Sequence, residues 1–214
     1  MHTVKYIHHT SDGDSLIAYM ARVSNPSNQS NTKTSNKLIK YLIDHNHWSP
    51  FEMVSLCVEI YTTRSIAAQI LRHRSFSFQE FSQRYAKVSE LPTTPNLRRR
   101  NTTNRQSSID DLPLDTKARC TKSITDSFNY SYNVYETLLA NGVAPECARD
   151  VLPLATPTKL YMHGTLRSWI HYTKLRSTPD TQSEHRSIAQ QCSDLIDEYF
   201  PLVSSALCVG TTHL

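Results

Sequence analysis

Residues 51–74 read FEMVSLCVEIYTTRSIAAQILRHR, and this stretch decides the fold class because a predicted strand runs directly into a predicted helix. Apolar and polar side chains alternate over residues 51–61, which is typical of a β-strand. Over residues 63–74 the apolar side chains recur at helical spacing instead, with Ile66, Ile70 and Leu71 on one face. The stretch therefore predicts one strand and one packed helix, joined without a long loop.

Outward from this stretch, most of the chain has the periodicity of helices. The predicted helices span residues 14–23, 37–46, 116–141, 144–152, 166–175 and 182–200. The last of them begins with a predicted capping box, Thr181 and Glu184, and residues 82–88 are predicted to be extended. Because strands are few and do not alternate with helices, we predict an α+β fold in a single domain over residues 1–214, mainly helical with a small, mostly antiparallel sheet.

Glycine is scarce and scattered, which excludes two common ways of binding a nucleotide. The chain has 214 residues and only four glycines, Gly13, Gly142, Gly164 and Gly210. The P-loop and the dinucleotide fingerprint both need clustered glycines, so that backbone N–H groups can approach a phosphate closely. A nucleotide bound by this chain must therefore be held by side chains.

Composition is typical of a soluble, intracellular protein. No apolar run approaches the roughly 20 residues that span a bilayer, and the N-terminus lacks the pattern of a signal peptide. The five cysteines are widely spaced without a C-x-x-C pair, so we predict a reducing, cytoplasmic location and no metal site. A net charge of +4 does not require nucleic acid, and most of the 23 basic residues are arginines, which favour small anionic ligands.

Two polar segments without periodicity, residues 25–37 and 92–116, are predicted to be loops. The second is long for a compact domain, which indicates either a functional or a disordered segment. It contains Arg98, Arg99 and Arg100, and the simplest interpretation of this triplet is a solvated loop.

The densest group of polar and charged side chains lies in residues 69–85. On a continuous helix Gln69, Arg72 and His73 would share one face. If the following segment is extended, the alternation of Glu80, Ser82 and Arg84 aims these three side chains to one side as well. The dipole of the helix would by itself explain the cations near its C-terminus. It would not explain the polar and charged side chains that follow at residues 80, 82 and 84. The pattern favours a ligand-binding cradle over a solvated face.

The triplet Arg72-His73-Arg74, followed by seven residues and then Ser82, resembles the signature of the flavin-dependent thymidylate synthases. Flanking segments resemble the same family in order along the chain. They are residues 21–24, 45–52, 149–154, 166–171 and 175–176. The resemblance therefore covers most of the sequence and implies a single domain of that family.

The resemblance implies an enzyme that converts dUMP to dTMP without a nucleophile of its own. The carbon donor would be 5,10-methylenetetrahydrofolate, and the redox cofactor would be FAD, reduced by NADPH. The family also implies a homotetramer whose active sites are shared between subunits, with neither a nucleic acid nor a membrane as partner.

The same resemblance assigns roles to individual positions. The FAD-binding positions are Ser49, Arg72, His73, Arg74, Glu80, Thr165, Arg167 and His171. The dUMP-binding positions are Gln69, Arg72, Glu80, Ser82, Gln83, Arg84, Arg149 and Arg176. The catalytic positions are Arg176, expected to favour ionisation at N3 of the uracil, and His47, expected near the flavin and the folate.

The sequence departs from the family pattern at a few positions. Thr165 stands where some members have asparagine. Gln83 replaces a frequent glycine, so a dUMP contact there would be made through the backbone. Residues 177–180 are variable, and no histidine of the family pattern can be placed in them.

Several alternatives remain open at this point. Ser82 could act as a nucleophile, but no adjacent base is evident. Cys147, which follows Pro145 and Glu146, could also act as a nucleophile, but a small cysteine buried in a helix is the commoner case. A basic RNA- or single-stranded-DNA-binding module would use residues 98–100 and Arg105. Five histidines are predicted at the surface: His2, His8, His9, His185 and His213.

Overall fold

A four-stranded antiparallel sheet, in strand order β1-β2-β6-β3, lies at the centre of the computed structural model, which describes residues 2–209. Strands and helices are numbered here in chain order. The sheet is formed by β1 (Thr3–His9), β2 (Ser55–Thr63), β3 (Phe76–Glu80) and β6 (Pro157–Thr165). A separate ribbon pairs β4 (Arg99–Arg100) with β5 (Ser108–Ile109).

Helices account for most of the remaining chain. They are α1 (Gly13–Ala21), α2 (Ser35–Asp44), α3 (Arg64–Ile70), α4 (Leu114–Ala140), α5 (Pro145–Ala148), α6 (Leu166–Arg176), α7 (Ser183–Tyr199) and α8 (Pro201–Val209). Short 3-10 turns lie at Pro26–Asn28, Ser49–Glu52 and Arg149–Val151. Among the described residues, no helix is both long enough and apolar enough to cross a membrane.

The core lies between the sheet and the helices that pack on it. The strand predicted over residues 51–61 is β2, which begins at Ser55 and ends at Thr63. It pairs with β1 on one side and β6 on the other, and most of its residues are buried. Trp169 on α6 is fully buried and its Nε1 donates to the backbone oxygen of Leu56, 2.9 Å away. This bond fixes α6 against the central strand.

A smaller cluster holds the segment after β3 against the long helix α4. Val88 and Tyr135 are buried, and the backbone N–H of Val88 donates to the hydroxyl of Tyr135 at 3.0 Å. The hydroxyl of Tyr132 donates in turn to the backbone oxygen of Val88 at 3.3 Å. Residues 82–88 thus take an irregular path that side chains of α4 stabilise.

The α+β fold class is confirmed, and most predicted helices occur within about two residues of their expected ends. Other predictions of local structure are wrong. The extended segment is 76–80 and not 82–88, and α3 ends at Ile70, before the arginine triplet. The strands β1 and β6 and the helix α8 were not predicted, and the capping box is absent because α7 begins at Ser183 without a side-chain cap.

Two predictions about individual side chains are also wrong. His185 is completely buried, and Cys147 is exposed on the four-residue helix α5. The predicted surface residue His213 lies outside the described residues.

Candidate active site

The arginine triplet lies in the turn that joins α3 to β3. The hydroxyl of Thr63 caps α3 by accepting the N–H of Ile66 at 3.4 Å, and the helix has ended by Ile70. The backbone N–H of His73 donates to the carbonyl of Ile70 at 3.0 Å, which closes the turn. Arg72 and Arg74 are exposed in this turn and His73 points inward. The triplet therefore lies in a turn after α3, and the prediction that Gln69, Arg72 and His73 share one helical face is wrong.

Arg176, the last residue of α6, is brought to this turn by a direct side-chain contact. Its Nε donates to Nε2 of His73 at 2.9 Å. Because Nε2 accepts, the proton of the neutral imidazole is on Nδ1. Burial lowers the pKa of His73 to about 4, and the nearby charges of Arg176 and His171 act in the same direction. His73 is therefore neutral near pH 7 and acts only as an acceptor toward Arg176.

Glu80, at the end of the edge strand β3, is held by two neighbouring side chains and is mostly shielded from solvent. Its Oε1 accepts from Nη1 of Arg64 at 2.5 Å and from the hydroxyl of Thr158 at 2.9 Å. The side chain is 16% exposed. Arg64 and Thr158 thus fix the carboxylate at the end of β3, where the chain turns toward Ser82.

Residues 82–86 form a turn, so the alternation argument for Glu80, Ser82 and Arg84 is wrong. The carbonyl of Ser82 accepts from the backbone N–H groups of Tyr85 and Ala86 at 3.2 and 3.1 Å. The side chain of Gln83 is 7% exposed, and its Nε2 has no hydrogen-bond partner among the described residues. The dUMP contact through the backbone of residue 83, expected from the sequence, stays a prediction.

Two arginines predicted to bind dUMP lie on either side of α5. Nε of Arg84 is 3.2 Å from Oε2 of Glu146 on α5, and both side chains are more than half exposed. Arg149 follows α5 directly and lies 4.0 Å from its neighbour Asp150. Exposed ion pairs of this kind contribute little, so an incoming phosphate can compete for both guanidinium groups.

The helix α6 begins and ends with predicted site residues. The hydroxyl of Thr165 caps it by accepting the N–H of Ser168 at 3.4 Å. Arg167 and His171 stand at i and i+4 and share an exposed face of the helix. Arg167 also pairs with Glu52, which connects α6 to the 3-10 turn that begins at Ser49. This pair attaches the turn that contains the predicted flavin-binding residue Ser49 to the helix that carries Arg167 and His171.

His47 is exposed just before that turn, with its backbone N–H donating to the carbonyl of Leu42 at 2.8 Å. His45 stacks on Tyr41 with ring centroids 4.0 Å apart, and its ring lies 6.1 Å from that of His47. Among residues 2–209, no group of three His, Cys, Asp or Glu side chains is placed to hold a metal ion.

The polar segment 92–116 carries the four arginines that a nucleic-acid-binding module would use, and Arg100 and Arg105 are exposed in it. Arg98 pairs with Glu184, and Arg99 pairs with Asp111 through bonds of 2.8 and 2.6 Å. Two of the arginines in the proposed basic surface are therefore neutralised by carboxylates. Arg98 and Glu184 are residues that sequence reasoning did not place in the site.

His185 is a further residue that sequence reasoning missed, although a signal was present. It lies three residues before Ile188, on the apolar stripe that continues to Cys192. That helical spacing puts it on the buried face of α7.

A cavity of about 430 Å³ lies apart from all these residues, between α1 and α2. Arg22, Thr34 and Lys37 are among the residues that line it. None of the predicted dUMP- or FAD-binding side chains lines this cavity.

In this antiparallel sheet with its packed helices, Arg176 of α6 contacts the turn that carries Arg72 and Arg74. The site is therefore that of a protein which can bind an anionic ligand through guanidinium side chains and not through a glycine-rich loop. Residues 5–202 match the model of the family described as thymidylate synthase complementing protein, and the chain belongs to that family.

The relatives carry more specific names. The chain is 48% identical over 194 residues to the probable flavin-dependent thymidylate synthase of Paramecium bursaria Chlorella virus 1, covering 91% of this chain and 90% of that protein. It is 49% identical over 194 residues to the flavin-dependent thymidylate synthase of Synechocystis, covering 91% and 89%. The resemblance stated from the sequence is thereby confirmed, and with it the prediction of an enzyme of this family.

A solved structure shares the fold. The UMP/dUMP methylase PolB from Streptomyces cacaoi, bound with 5-Br dUMP, superposes with a TM-score of 0.85 at 26% sequence identity. The match covers 98% of this chain and 95% of that one.

Proposed function

We propose that this chain reductively methylates dUMP to dTMP, with 5,10-methylenetetrahydrofolate as carbon donor and with FAD reduced by NADPH. The names of the relatives support the substrate and the flavin, and the bound 5-Br dUMP of PolB supports a uracil nucleotide. The identity of the carbon donor and of the reductant rests on the family resemblance.

The contact between Arg176 and His73 carries this proposal. It joins the residue expected at the uracil ring to a residue expected at the flavin, and the two donor and acceptor atoms are 2.9 Å apart. Transfer of a one-carbon unit to C5 followed by its reduction needs the two ring systems to be neighbours. The contact between these two residues, which are far apart in sequence, supports the proposal.

The residues present fit a flavin dinucleotide. Arg72 and Arg74 are exposed, and neither takes part in an ion pair among the described residues. Unpaired guanidinium groups can each grip two oxygens of a pyrophosphate, and no glycine-rich loop is needed for this. When bound, the flavin would supply the hydride that reduces the transferred carbon to a methyl group.

Arg176 has the clearest chemical role among the chain's own residues. Methylation at C5 requires added electron density on the uracil, and a fixed guanidinium beside the ring stabilises the negative charge that develops there. The neutral imidazole of His73 holds the Nε end of Arg176, which leaves its terminal Nη groups for the ring. Such preorganised groups can supply several kcal/mol of transition-state stabilisation.

The absence of an activated nucleophile supports a mechanism in which the enzyme forms no covalent bond to the uracil. Among residues 2–209, no hydrogen bond joins the hydroxyl of Ser82 to a base. Cys147 is exposed on a short helix. Its backbone N–H donates to the carbonyl of Ala144 at 2.9 Å. A serine or cysteine nucleophile would need a neighbouring base or cation to form the reactive anion.

The test is an anaerobic assay of dTMP formation by the purified protein, with and without added FAD and with NADPH and methylenetetrahydrofolate present. We expect a yellow preparation whose flavin spectrum changes when dUMP is added. A colourless protein that takes up no FAD, forms no dTMP and binds RNA in a strongly salt-dependent way would overturn the proposal in favour of a nucleic-acid-binding module.

A further inference from the structure

A buried histidine, His185 on α7, lies at the centre of a hydrogen-bond chain to which the proposed reaction assigns no role. Its Nδ1 is 3.2 Å from Oε1 of Gln69 and its Nε2 is 3.1 Å from the hydroxyl of Tyr172. Because an amide oxygen can only accept, Nδ1 carries the proton and Nε2 accepts from Tyr172. Burial lowers the pKa of His185 to about 3, and the charges of Arg176 and His73 act in the same direction, so the ring stays neutral.

The carboxamide of Gln69 is held at both ends by this chain. Its oxygen accepts from His185, and its Nε2 donates to Oε1 of Gln182 at 2.8 Å. An amide without such partners can exchange the places of its oxygen and nitrogen by a half-turn about its last torsion. His185 and Gln182 therefore select one orientation of the Gln69 amide.

The series of hydrogen bonds around His185 and Gln69 ends near an ion pair between α7 and the polar segment 92–116. Nη1 and Nη2 of Arg98 donate to the two oxygens of Glu184 at 2.7 and 2.9 Å, and the side chains are only 15% and 14% exposed. Burial would raise the pKa of Glu184, but hydrogen bonds from Arg98, its own backbone and Gln182 outweigh it and lower the pKa to about 2. A two-pronged pair of this kind is strong and fixes geometry.

The same segment also contacts the link between α6 and α7. Nδ2 of Asn104 donates to Oδ1 of Asp180 at 2.8 Å. Arg98 is itself anchored in the ribbon, since its Nε donates to the hydroxyl of Ser108 at 2.9 Å. Segment 92–116 thus holds the link after Arg176 through Asn104 and the start of α7 through Arg98, and Arg98 is largely buried by its pair with Glu184.

We propose that Arg98 and His185 are positioning residues that act through Gln69 to set the affinity for the uracil nucleotide. Arg98 fixes Glu184 and Gln182 from one side, and His185 fixes the amide oxygen from the other. The inference rests on the proposed function, since it takes Gln69 as a contact of dUMP.

The test compares Arg98→Ala and Glu184→Gln with Arg99→Ala. Arg99 is the neighbouring residue and makes an equally two-pronged pair with Asp111, but that pair is exposed and does not reach α7. We expect Arg98→Ala and Glu184→Gln to raise the dissociation constant for dUMP about tenfold, the effect of one misplaced hydrogen bond. FAD content and kcat at saturating dUMP should stay near those of Arg99→Ala. Because the Arg98–Glu184 pair is mostly buried, its two variants should melt at a lower temperature than Arg99→Ala, so binding is measured well below that temperature.

A double-mutant cycle separates positioning from a general loss of structure. In a Gln69→Ala background, Arg98→Ala should change dUMP affinity less than about twofold, because its target is gone. His185→Phe, which keeps the site filled, should reproduce the weaker binding. Wild-type affinity in both Arg98→Ala and Glu184→Gln, or equal weakening by Arg99→Ala, would overturn the inference.

Calorimetry on the FAD-loaded protein measures dUMP binding directly, without turnover. Wild-type protein that binds dUMP and forms no dTMP would contradict the proposed function and leave this comparison decisive. Wild-type protein that binds no dUMP would overturn both.

Discussion

Arg176 is the single residue on which the proposed chemistry depends most. Replacement by alanine removes the guanidinium that contacts His73 but opens no apolar core, since the side chain is only partly buried. We expect Arg176→Ala to fold and to retain flavin, with kcat reduced about a hundredfold or more, the usual effect of removing one preorganised charge. Steady-state assays of dTMP formation check this, and undiminished turnover would refute the assigned role.

Cys147 gives the opposite prediction. Its thiol is exposed on α5, and among the described residues it has no basic partner that would form a thiolate. We expect Cys147→Ala to keep wild-type kcat and KM, measured in the same assay. Complete loss of activity in a folded Cys147→Ala protein would restore the thiol nucleophile as an explanation.

At the scale of elements, Gly164 controls how β3 lies against β6. It pairs with Phe76 across the two strands, and a Cβ at this position would lie 2.4 Å from Cδ1 of that ring. Phe76 cannot easily retreat, because its ring packs edge-on against Trp169 with centroids 4.8 Å apart. We expect Gly164→Ala to lower the free energy of unfolding by about 1–3 kcal/mol, as overpacking does.

Denaturant unfolding of the double variant is the control for this prediction. In Phe76→Leu protein the ring is absent, so the additional effect of Gly164→Ala should be clearly smaller than in the wild type. Equal effects in the two backgrounds would show that the close contact with Phe76 is not the cause.

At the scale of the whole molecule, buried neutral histidines make the fold sensitive to acid. The pKa of His73 falls from 6.5 to about 4 and that of His185 from 6.5 to about 3 on folding. Below pH 6.5 the unfolded chain therefore binds protons that the folded chain does not, and the free energy of unfolding decreases as the pH falls. Above pH 6.5 both histidines are neutral in the folded and in the unfolded chain, so this loss of stability does not occur there.

Melting temperatures between about pH 7 and pH 5 test this relation. We expect a steady decrease in the wild type and a shallower one in His185→Phe, which lacks one of the two groups. A melting temperature that rises on acidification, or an unchanged slope in the variant, would contradict it.

Assembly is the second prediction at this scale. Large apolar side chains near the predicted ligand residues are open to solvent in the isolated chain, with Tyr85 80% and Leu154 72% exposed. Exposed apolar groups beside a site are typical of an interface. We expect a homotetramer with shared active sites, so that activity per chain falls on dilution in parallel with the mass measured by light scattering. A monomer with full activity would refute shared sites.

The sequence predicts elements better than it predicts their partners. Alternation identifies β2, and the spacing of Ile188 and Cys192 identifies α7, because both patterns are read over a few neighbouring residues. The strand β1 is hard to predict because it lies at the edge of the sheet, where exposure and mixed polarity hide the alternation. In β6 a buried threonine, Thr158, and Gly164 interrupt the alternation. His185 is buried although histidine is a polar residue type, because its position on the helical stripe of α7 faces the core.

The α+β class, the absence of a glycine-rich phosphate loop and the family can all be read from the amino-acid sequence. Which of the predicted site residues contact one another depends on the tertiary structure. His73 contacts Arg176 across 103 positions, Arg98 contacts Glu184 across 86 and Gln69 contacts His185 across 116. Local periodicity carries no information about contacts at such separations, because they depend on how β2, β6 and the helices between them pack into one core.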